Sequence, residues 1–93
     1  MKTVNFSLTQ DHINSGKPGI PDKCPVALCI KERFQENDVI IGLDSSNEAN
    51  CFINLTSISL PYIVQRFVDN FDARKPVRPF NFPVKIPDSL LDN

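Results

Sequence analysis

The chain of 93 residues is 41% hydrophobic and 23% charged, and its ten basic and eleven acidic residues leave a formal net charge of −1. That length suits one domain with a single core, and the composition argues against a disordered chain. The charge balance gives no general cationic field for nucleic acid or an anionic membrane, and no apolar run approaches the ~20 residues of a membrane span. The N-terminus alternates like a strand and lacks the apolar core of a signal peptide, so we expect a cytoplasmic protein.

The first 23 residues predict a strand, a single helical turn and a linker. Apolar and polar side chains alternate over residues 3–8, which is the period of a strand with one buried face. Thr9 has the side chain of a helix N-cap, and the following turn, residues 10–15, would end at Gly16 in left-handed geometry. Two prolines and a glycine interrupt regular structure over residues 17–23, so this linker is predicted to be an irregular surface that a partner could contact.

The next helix is predicted to begin at Asp22 or Cys24, with Pro25 in its first turn, where the missing N–H costs nothing. Its apolar residues are so dense that we expect neighbours to cover more than one face. The core stripe of this helix comprises Val26, Ala27, Ile30 and Phe34.

A hairpin is predicted in the middle of the chain. Its strands are residues 38–43 and 51–55, and the polar turn between them is residues 44–50. In the second strand, Phe52 lies on the opposite face from its two neighbours.

The strongest pattern is a helix followed by an aromatic-rich strand. Ser59 is predicted to cap the helix, with Pro61 in its first turn, and the helix ends near Asp72. Pro83 interrupts the last strand, residues 80–86, so that strand should lie at a sheet edge with Pro83 on a side that does not pair. The apolar stripe of the helix comprises Ile63, Val64, Phe67, Val68 and Phe71.

Without the short first turn, the predicted order is β-α-β-β-α-β. This order indicates an α+β fold with a four-stranded antiparallel sheet and two helices, either ferredoxin-like or another two-layer sandwich. Residues 1–87 are predicted to form one domain, and residues 88–93 a polar tail that frays. Strands 3–8 and 80–86 are candidate exposed edges, so homodimerisation by edge pairing is an open alternative.

Four residues could carry metal or nucleophilic chemistry: His12, Cys24, Cys29 and Cys51. Zinc accepts such ligands, but the chain has no Cys-x-x-Cys pair, and a continuous helix would place Cys24 and Cys29 on different faces. Cys24 at a helix N-terminus would become a nucleophile only if His12 met it as a base. The sequence favours buried thiols at Cys29 and Cys51, a partly exposed Cys24 and a surface His12. It therefore predicts no metal, no cofactor and no catalysis.

Two other kinds of binding stay open as alternatives. Gly16, Gly19 and the N-terminus of the Pro25 helix could present backbone N–H groups to the phosphate of a sequestered nucleotide. Nucleic acid could stack on Phe52 beside the basic turn of residues 74–78, although no strand matches the aromatic pattern of RNA-recognition modules.

Four short blocks are similar to a group of small uncharacterised proteins carried by bacteriophages and prophages. The blocks are TQDHINSG at residues 9–16, CPVAL at 24–28, FVDNFD at 67–72 and VRPFNF at 77–82. The resemblance brings no catalytic residues with it. It implies a phage setting, in which small proteins commonly bind and block a host enzyme or a defence complex such as a CRISPR effector, or sequester a signalling nucleotide.

The leading hypothesis is therefore a non-catalytic binding protein of phage type that inhibits a host protein, in the manner of an anti-CRISPR protein, in the host cytoplasm. Three surfaces are predicted to contact the partner: the linker of residues 17–23, the turn of residues 44–50 and the turn of residues 74–78. The predicted contact residues are Lys17, Ile20, Lys23, Asp44, Glu48, Arg74, Lys75 and Arg78.

Overall fold

The computed structural model describes residues 2–34, 38–43, 48–54 and 56–91. Within these ranges the elements follow in the order β-α-α-β-β-β-α-β-α, which confirms the predicted α+β class. The strands are β1 (Lys2–Leu8), β2 (Val39–Leu43), β3 (Ala49–Ile53), β4 (Thr56–Ser59) and β5 (Phe80–Ile86). The helices are α1 (Gln10–Ser15), α2 (Pro25–Lys31), α3 (Tyr62–Asp72) and α4 (Asp88–Leu91).

The first sheet is an antiparallel pair formed by the two ends of the chain, β1 and β5. Phe6 lies opposite Phe82, and their rings stack with centroids 5.6 Å apart. Pro83 lies opposite Asn5 and has no N–H, so it cannot donate a hydrogen bond to β1. Within the described residues β5 pairs with β1 alone, as predicted for an edge strand. The two candidate dimer edges pair with each other on one side, and edge pairing of two copies through their outer sides stays a prediction.

The second sheet contains the predicted hairpin of β2 and β3 and a third strand that the sequence did not predict. β3 begins at Ala49 and not at Cys51, so Ala49 and Asn50 are buried strand residues and not part of the predicted polar turn. Asn54 adopts a φ of 56°, a left-handed conformation that asparagine tolerates, and the chain reverses there into β4. Ser59 therefore lies in a strand, and its predicted role as the cap of α3 is wrong. Pro61 occupies the N-cap position, and no side-chain hydrogen bond caps the helix there.

The predicted four-stranded sheet is replaced by these two sheets. β4 occupies the position next to β3, so β5 pairs with β1 alone in the described part of the chain. The predicted order of helices and strands was thus incomplete by one strand and one short helix.

One core joins the two sheets, because the inward residues of all five strands belong to the same hydrophobic cluster as those of α2 and α3. The buried residues of α2 extend more than halfway around the helix, which confirms that it is covered on more than one face. They are Pro25, Val26, Ala27, Cys29 and Ile30. The predicted stripe of α3 is correct for the buried residues Val64, Phe67 and Val68. It is wrong for Ile63, which is 51% exposed.

The C-terminal segment is more ordered than the predicted frayed tail. Residues 88–91 form α4, and Leu90 and Leu91 pack against the core. The short helix therefore extends the packed unit beyond residue 87, where the sequence placed the domain end.

Gly16 ends α1 as predicted, but for a different reason. Its φ is −73°, so the left-handed geometry expected at this position is absent. A Cβ atom here would lie 2.6 Å from both Cγ and Cδ of Pro25, so glycine permits the chain to pass close to the start of α2. The left-handed glycine is Gly19, with a φ of 73°.

Candidate functional site

The three thiols belong to the interior of the protein. Cys29 and Cys51 are buried as predicted, whereas the prediction of a partly exposed Cys24 is wrong. The Sγ atom of Cys24 accepts a hydrogen bond from the backbone N–H of Ala27 and so caps α2, and Cys29 Sγ donates to the Ser7 carbonyl. Burial raises the pKa of Cys24 to about 11, and the pKa values of Cys29 and Cys51 to about 12. All three are therefore protonated thiols at neutral pH and poor nucleophiles.

His12 is buried, which corrects its predicted surface position. Its Nδ1 atom accepts a hydrogen bond from the Thr9 backbone N–H at 2.9 Å, and its Nε2 atom bonds Glu32. Because both ring nitrogens are engaged, His12 has no free nitrogen to activate Cys24. Within the described residues, no group of three or more His, Cys, Asp or Glu side chains is arranged to hold a metal ion.

The predicted phosphate cradle at the start of α2 is filled by the protein itself. The Cys24 side chain caps the N–H of Ala27, and the Cys24 carbonyl accepts from the N–H of Leu28. Gly16 packs against Pro25 directly in front of this turn. The Ala27 N–H that a phosphate would use is thus already bonded, which weakens the support for a nucleotide at this place.

Two of the predicted contact surfaces, far apart in sequence, come together. The linker closes into a loop, in which the N–H of Lys17 donates to the Lys23 carbonyl at 2.8 Å. The N–H of Gly19 in this loop donates to Oδ1 of Asp72, the last residue of α3, at 3.0 Å. The linker therefore lies beside the turn that follows α3. We call the exposed cations of these two segments the basic rim; they are Lys17, Lys23, Arg74, Lys75 and Arg78.

Three predicted contact residues are not part of the basic rim. Ile20 is 40% exposed in the same linker loop. Glu48 is exposed at the start of β3. Asp44 lies outside the described residues.

The turn at the end of α3 holds Arg74 in an unusual backbone conformation. The N–H of Lys75 donates to the Asn70 carbonyl, and the N–H of Arg74 to the Phe71 carbonyl. These two bonds define a Schellman motif, whose left-handed residue is usually glycine. Here that residue is Arg74, with a φ of 62°. An arginine in this position costs backbone free energy that a glycine would not.

Next to the rim is a groove that the sequence did not predict. It has a volume of about 350 Å³ and runs between α3 and the extended segment of residues 76–80. Arg66 lies on the helical wall and Arg78 on the opposite wall, and the rings of Phe67 and Phe80 lie between them with centroids 5.1 Å apart. One pattern in the sequence could have indicated the groove: Arg66 follows Ile63 by three residues, so the two side chains share a helix face.

The outer face of the second sheet exposes an apolar pair. Ile40 and Phe52 lie opposite each other in the β2–β3 ladder and are 42% and 38% exposed. Phe52 thus lies on the opposite face from Cys51 and Ile53, as predicted, that face is exposed, and the other cross-strand neighbour of Phe52 is Ser57. A single aromatic residue with small neighbours provides little stacking surface for nucleic acid.

Comparison with protein-family models, with curated proteins and with solved structures finds no significant match to this chain. The resemblance to phage proteins therefore stays a prediction. Among the helices of the described residues, none combines the length and the apolar character needed to cross a bilayer.

Proposed function

We propose that the protein acts by binding a partner protein and that it carries out no catalysis. The residues best suited to chemistry have structural roles: Cys24 caps α2, Cys29 bonds β1, and His12 bonds both Thr9 and Glu32. The unusual features instead lie on the surface, where recognition by shape and charge takes place.

The basic rim is the observation that carries this proposal. Two segments more than 50 residues apart are fixed side by side by the bond from Gly19 to Asp72, which itself spans 53 positions. The rim includes Arg74, whose backbone is in the left-handed conformation. Glycine would be more stable than arginine at this position. Strained non-glycine residues are concentrated at binding and catalytic sites, which supports a role for this arginine in contact with a partner.

The charge of the rim indicates the kind of surface it would meet. Arg74, Lys75 and Arg78 are exposed within five consecutive residues, in a chain whose total formal charge is −1. A local cationic surface on a weakly acidic protein favours an acidic patch on a partner over a long polyanion, which the remaining acidic residues would repel. In the phage setting that the sequence suggests, the partner is a host protein, such as a component of a defence complex.

Affinity capture from a bacterial host lysate tests the proposal. The wild-type protein should recover one host protein in stoichiometric amount, and the complex should co-elute in size-exclusion chromatography. The variant Lys17→Glu/Arg74→Glu should lose most of this recovery, because both substitutions reverse charges of the rim. A matched control is Lys2→Glu/Lys85→Glu, which reverses two exposed charges on the first sheet. Equal recovery by all three proteins, or no stoichiometric partner at all, would contradict the proposal.

A further inference from the structure

We infer that the groove between α3 and residues 76–80 binds an extended acidic segment of a protein, with an apolar side chain between two carboxylates. The inference deepens the proposed binding function, on which it rests, because it names the chemistry of the partner. It derives from the walls, the floor and the length of the groove.

The walls provide two cationic groups that face the same space. Arg66 projects from α3 and Arg78 from the opposite segment, and both are exposed. Neither guanidinium forms an ion pair within the described part of the chain. A guanidinium matches a carboxylate with two parallel hydrogen bonds, so each wall can hold one acidic side chain.

The floor provides an apolar site between the two arginines. Phe67 is buried, Phe80 is half-buried, and Val77 closes the wall beside them. Ile63 extends this surface at one end and is 51% exposed, which is unusual for a residue on the apolar side of a helix. A surface with aromatic floor and flanking arginines has the composition of an interface hot spot.

The length of the groove limits the occupant. The helical wall extends from Ile63 to Asn70, and seven helical steps rise roughly 10 Å. An extended peptide advances about 3.3 Å per residue, so about three residues fit along this wall. Two facing arginines and one apolar floor therefore favour the order acidic, apolar, acidic.

The groove favours a peptide over a nucleic acid. A nucleic acid presents a phosphate at every step and needs a series of cations along its path. This groove offers two cations above an apolar floor, which match two carboxylates better than a continuous series of phosphates.

Titration of the ¹⁵N-labelled protein by NMR tests the inference with three probes. The first is a blocked peptide with the central sequence Asp-Leu-Asp between glycines; the second has Ser-Leu-Ser in its place, and the third is single-stranded oligothymidine. The first peptide should shift the amide signals of Ile63, Arg66, Asn70, Val77 and Arg78, and the Ser-Leu-Ser peptide should bind at least about tenfold more weakly. No shifts at about 1 mM Asp-Leu-Asp peptide, equal binding of both peptides, or tighter binding of oligothymidine would overturn the inference.

A groove variant separates this inference from the proposed function. Ile63→Ser/Arg66→Glu changes two exposed side chains of α3 and leaves the basic rim intact, so its spectrum should remain that of a folded protein. It should lose binding of the Asp-Leu-Asp peptide and weaken the stoichiometric host complex about tenfold. If the variant captures the host protein with unchanged affinity, the groove inference fails and the proposed function stands. If the peptide binds the groove and no host partner is recovered, the proposed function fails while the groove remains a peptide site.

Discussion

The imidazole of His12 joins α1 to the end of α2, because its Nε2 atom hydrogen-bonds the carboxylate of Glu32, the C-cap residue of α2. Its Nδ1 atom accepts from the Thr9 backbone N–H, which can only donate. The neutral ring therefore carries its proton on Nε2 and donates it to Glu32. In most capping boxes a Glu or Gln at this helix position accepts the bond from the N-cap, and here a histidine does so while bonding a second element.

Replacement of His12 should lower the stability of the protein. His12→Ala removes the acceptor for the Thr9 N–H and the link to Glu32, and we expect a loss of about 1–2 kcal/mol in the free energy of unfolding. His12→Gln keeps an acceptor for Thr9 and should lose less. Urea unfolding followed by circular dichroism measures both. Equal losses for the two variants would show that the capping bond contributes nothing.

The buried thiols should make the protein less stable at alkaline pH. An unfolded thiol ionises near the ordinary pKa of 9.0, whereas the native thiols stay protonated up to about 11 or 12 because burial disfavours the thiolate. Below pH 9.0 both states are protonated and the thiols cause no pH dependence. Above it the unfolded state binds fewer protons, so the free energy of unfolding should fall by up to about 1.4 kcal/mol per pH unit for each thiol.

Urea unfolding between about pH 8 and pH 11 measures this slope. Cys51→Ala should make the slope shallower by about one third, since one of three similar thiols is removed. Cys51 is 1% exposed, so the variant should also be less stable at every pH. An unchanged slope in the variant would mean that Cys51 does not titrate differently in the two states.

The sequence predicted correctly those elements that have a clear local signal, either a regular alternation of apolar residues or a strong helix cap. β5 was predicted with its correct bounds, because Phe82, Val84 and Ile86 alternate with polar residues and all face the core. α1 was also predicted correctly, since Thr9 is a strong N-cap. β4 was missed, because the short segment T-S-I-S contains one apolar residue, and a serine before a proline is equally typical of a helix start.

The candidate site was less predictable, because it depends on contacts between distant segments. The 17–23 linker and the 74–78 turn were each predicted as surfaces, but only the bond from Gly19 to Asp72 makes them one rim. Ile63 was assigned to the core from its position in the helical stripe. It lies outside because the extended segment of residues 76–80 stands away from it and leaves the groove open. No local pattern in the sequence determines where that segment runs.

Gly16 should be far less tolerant of alanine than Gly42. A Cβ at Gly16 would lie 2.6 Å from the Pro25 ring, which cannot move without shifting the start of α2, so we expect Gly16→Ala to cost about 1–3 kcal/mol. At Gly42 the nearest atom is Cε2 of Phe52 at 3.8 Å, an ordinary contact, and Gly42→Ala should be neutral or slightly stabilising. Thermal unfolding of both variants measures the difference, and similar melting temperatures would contradict it.

Replacement of a phenylalanine in the aromatic cluster by alanine should destabilise the protein more, the more deeply that phenylalanine is buried. Phe82 is 1% exposed, stacks on Phe6 and packs at a tilt against Phe80, so Phe82→Ala should cost about 3–5 kcal/mol. Phe71 is only half-buried, and Phe71→Ala should cost clearly less. Chemical unfolding measures the loss in the free energy of unfolding for both variants. A larger loss for Phe71→Ala would contradict the prediction and show that α3 contributes more to stability here than β5.

Arg74→Gly should make the protein more stable and a weaker binder. The left-handed position at the end of α3 favours glycine by about 1 kcal/mol, so the variant should gain about that much in the free energy of unfolding. Ala73→Gly is the matched control: Ala73 has a φ of −81°, where glycine brings no relief and only increases the freedom of the unfolded chain, so this variant should lose stability. If the rim binds a partner, Arg74→Gly should also weaken the host complex while Ala73→Gly leaves it unchanged. A variant that is more stable and binds as tightly as the wild type would show that Arg74 is not held there for recognition.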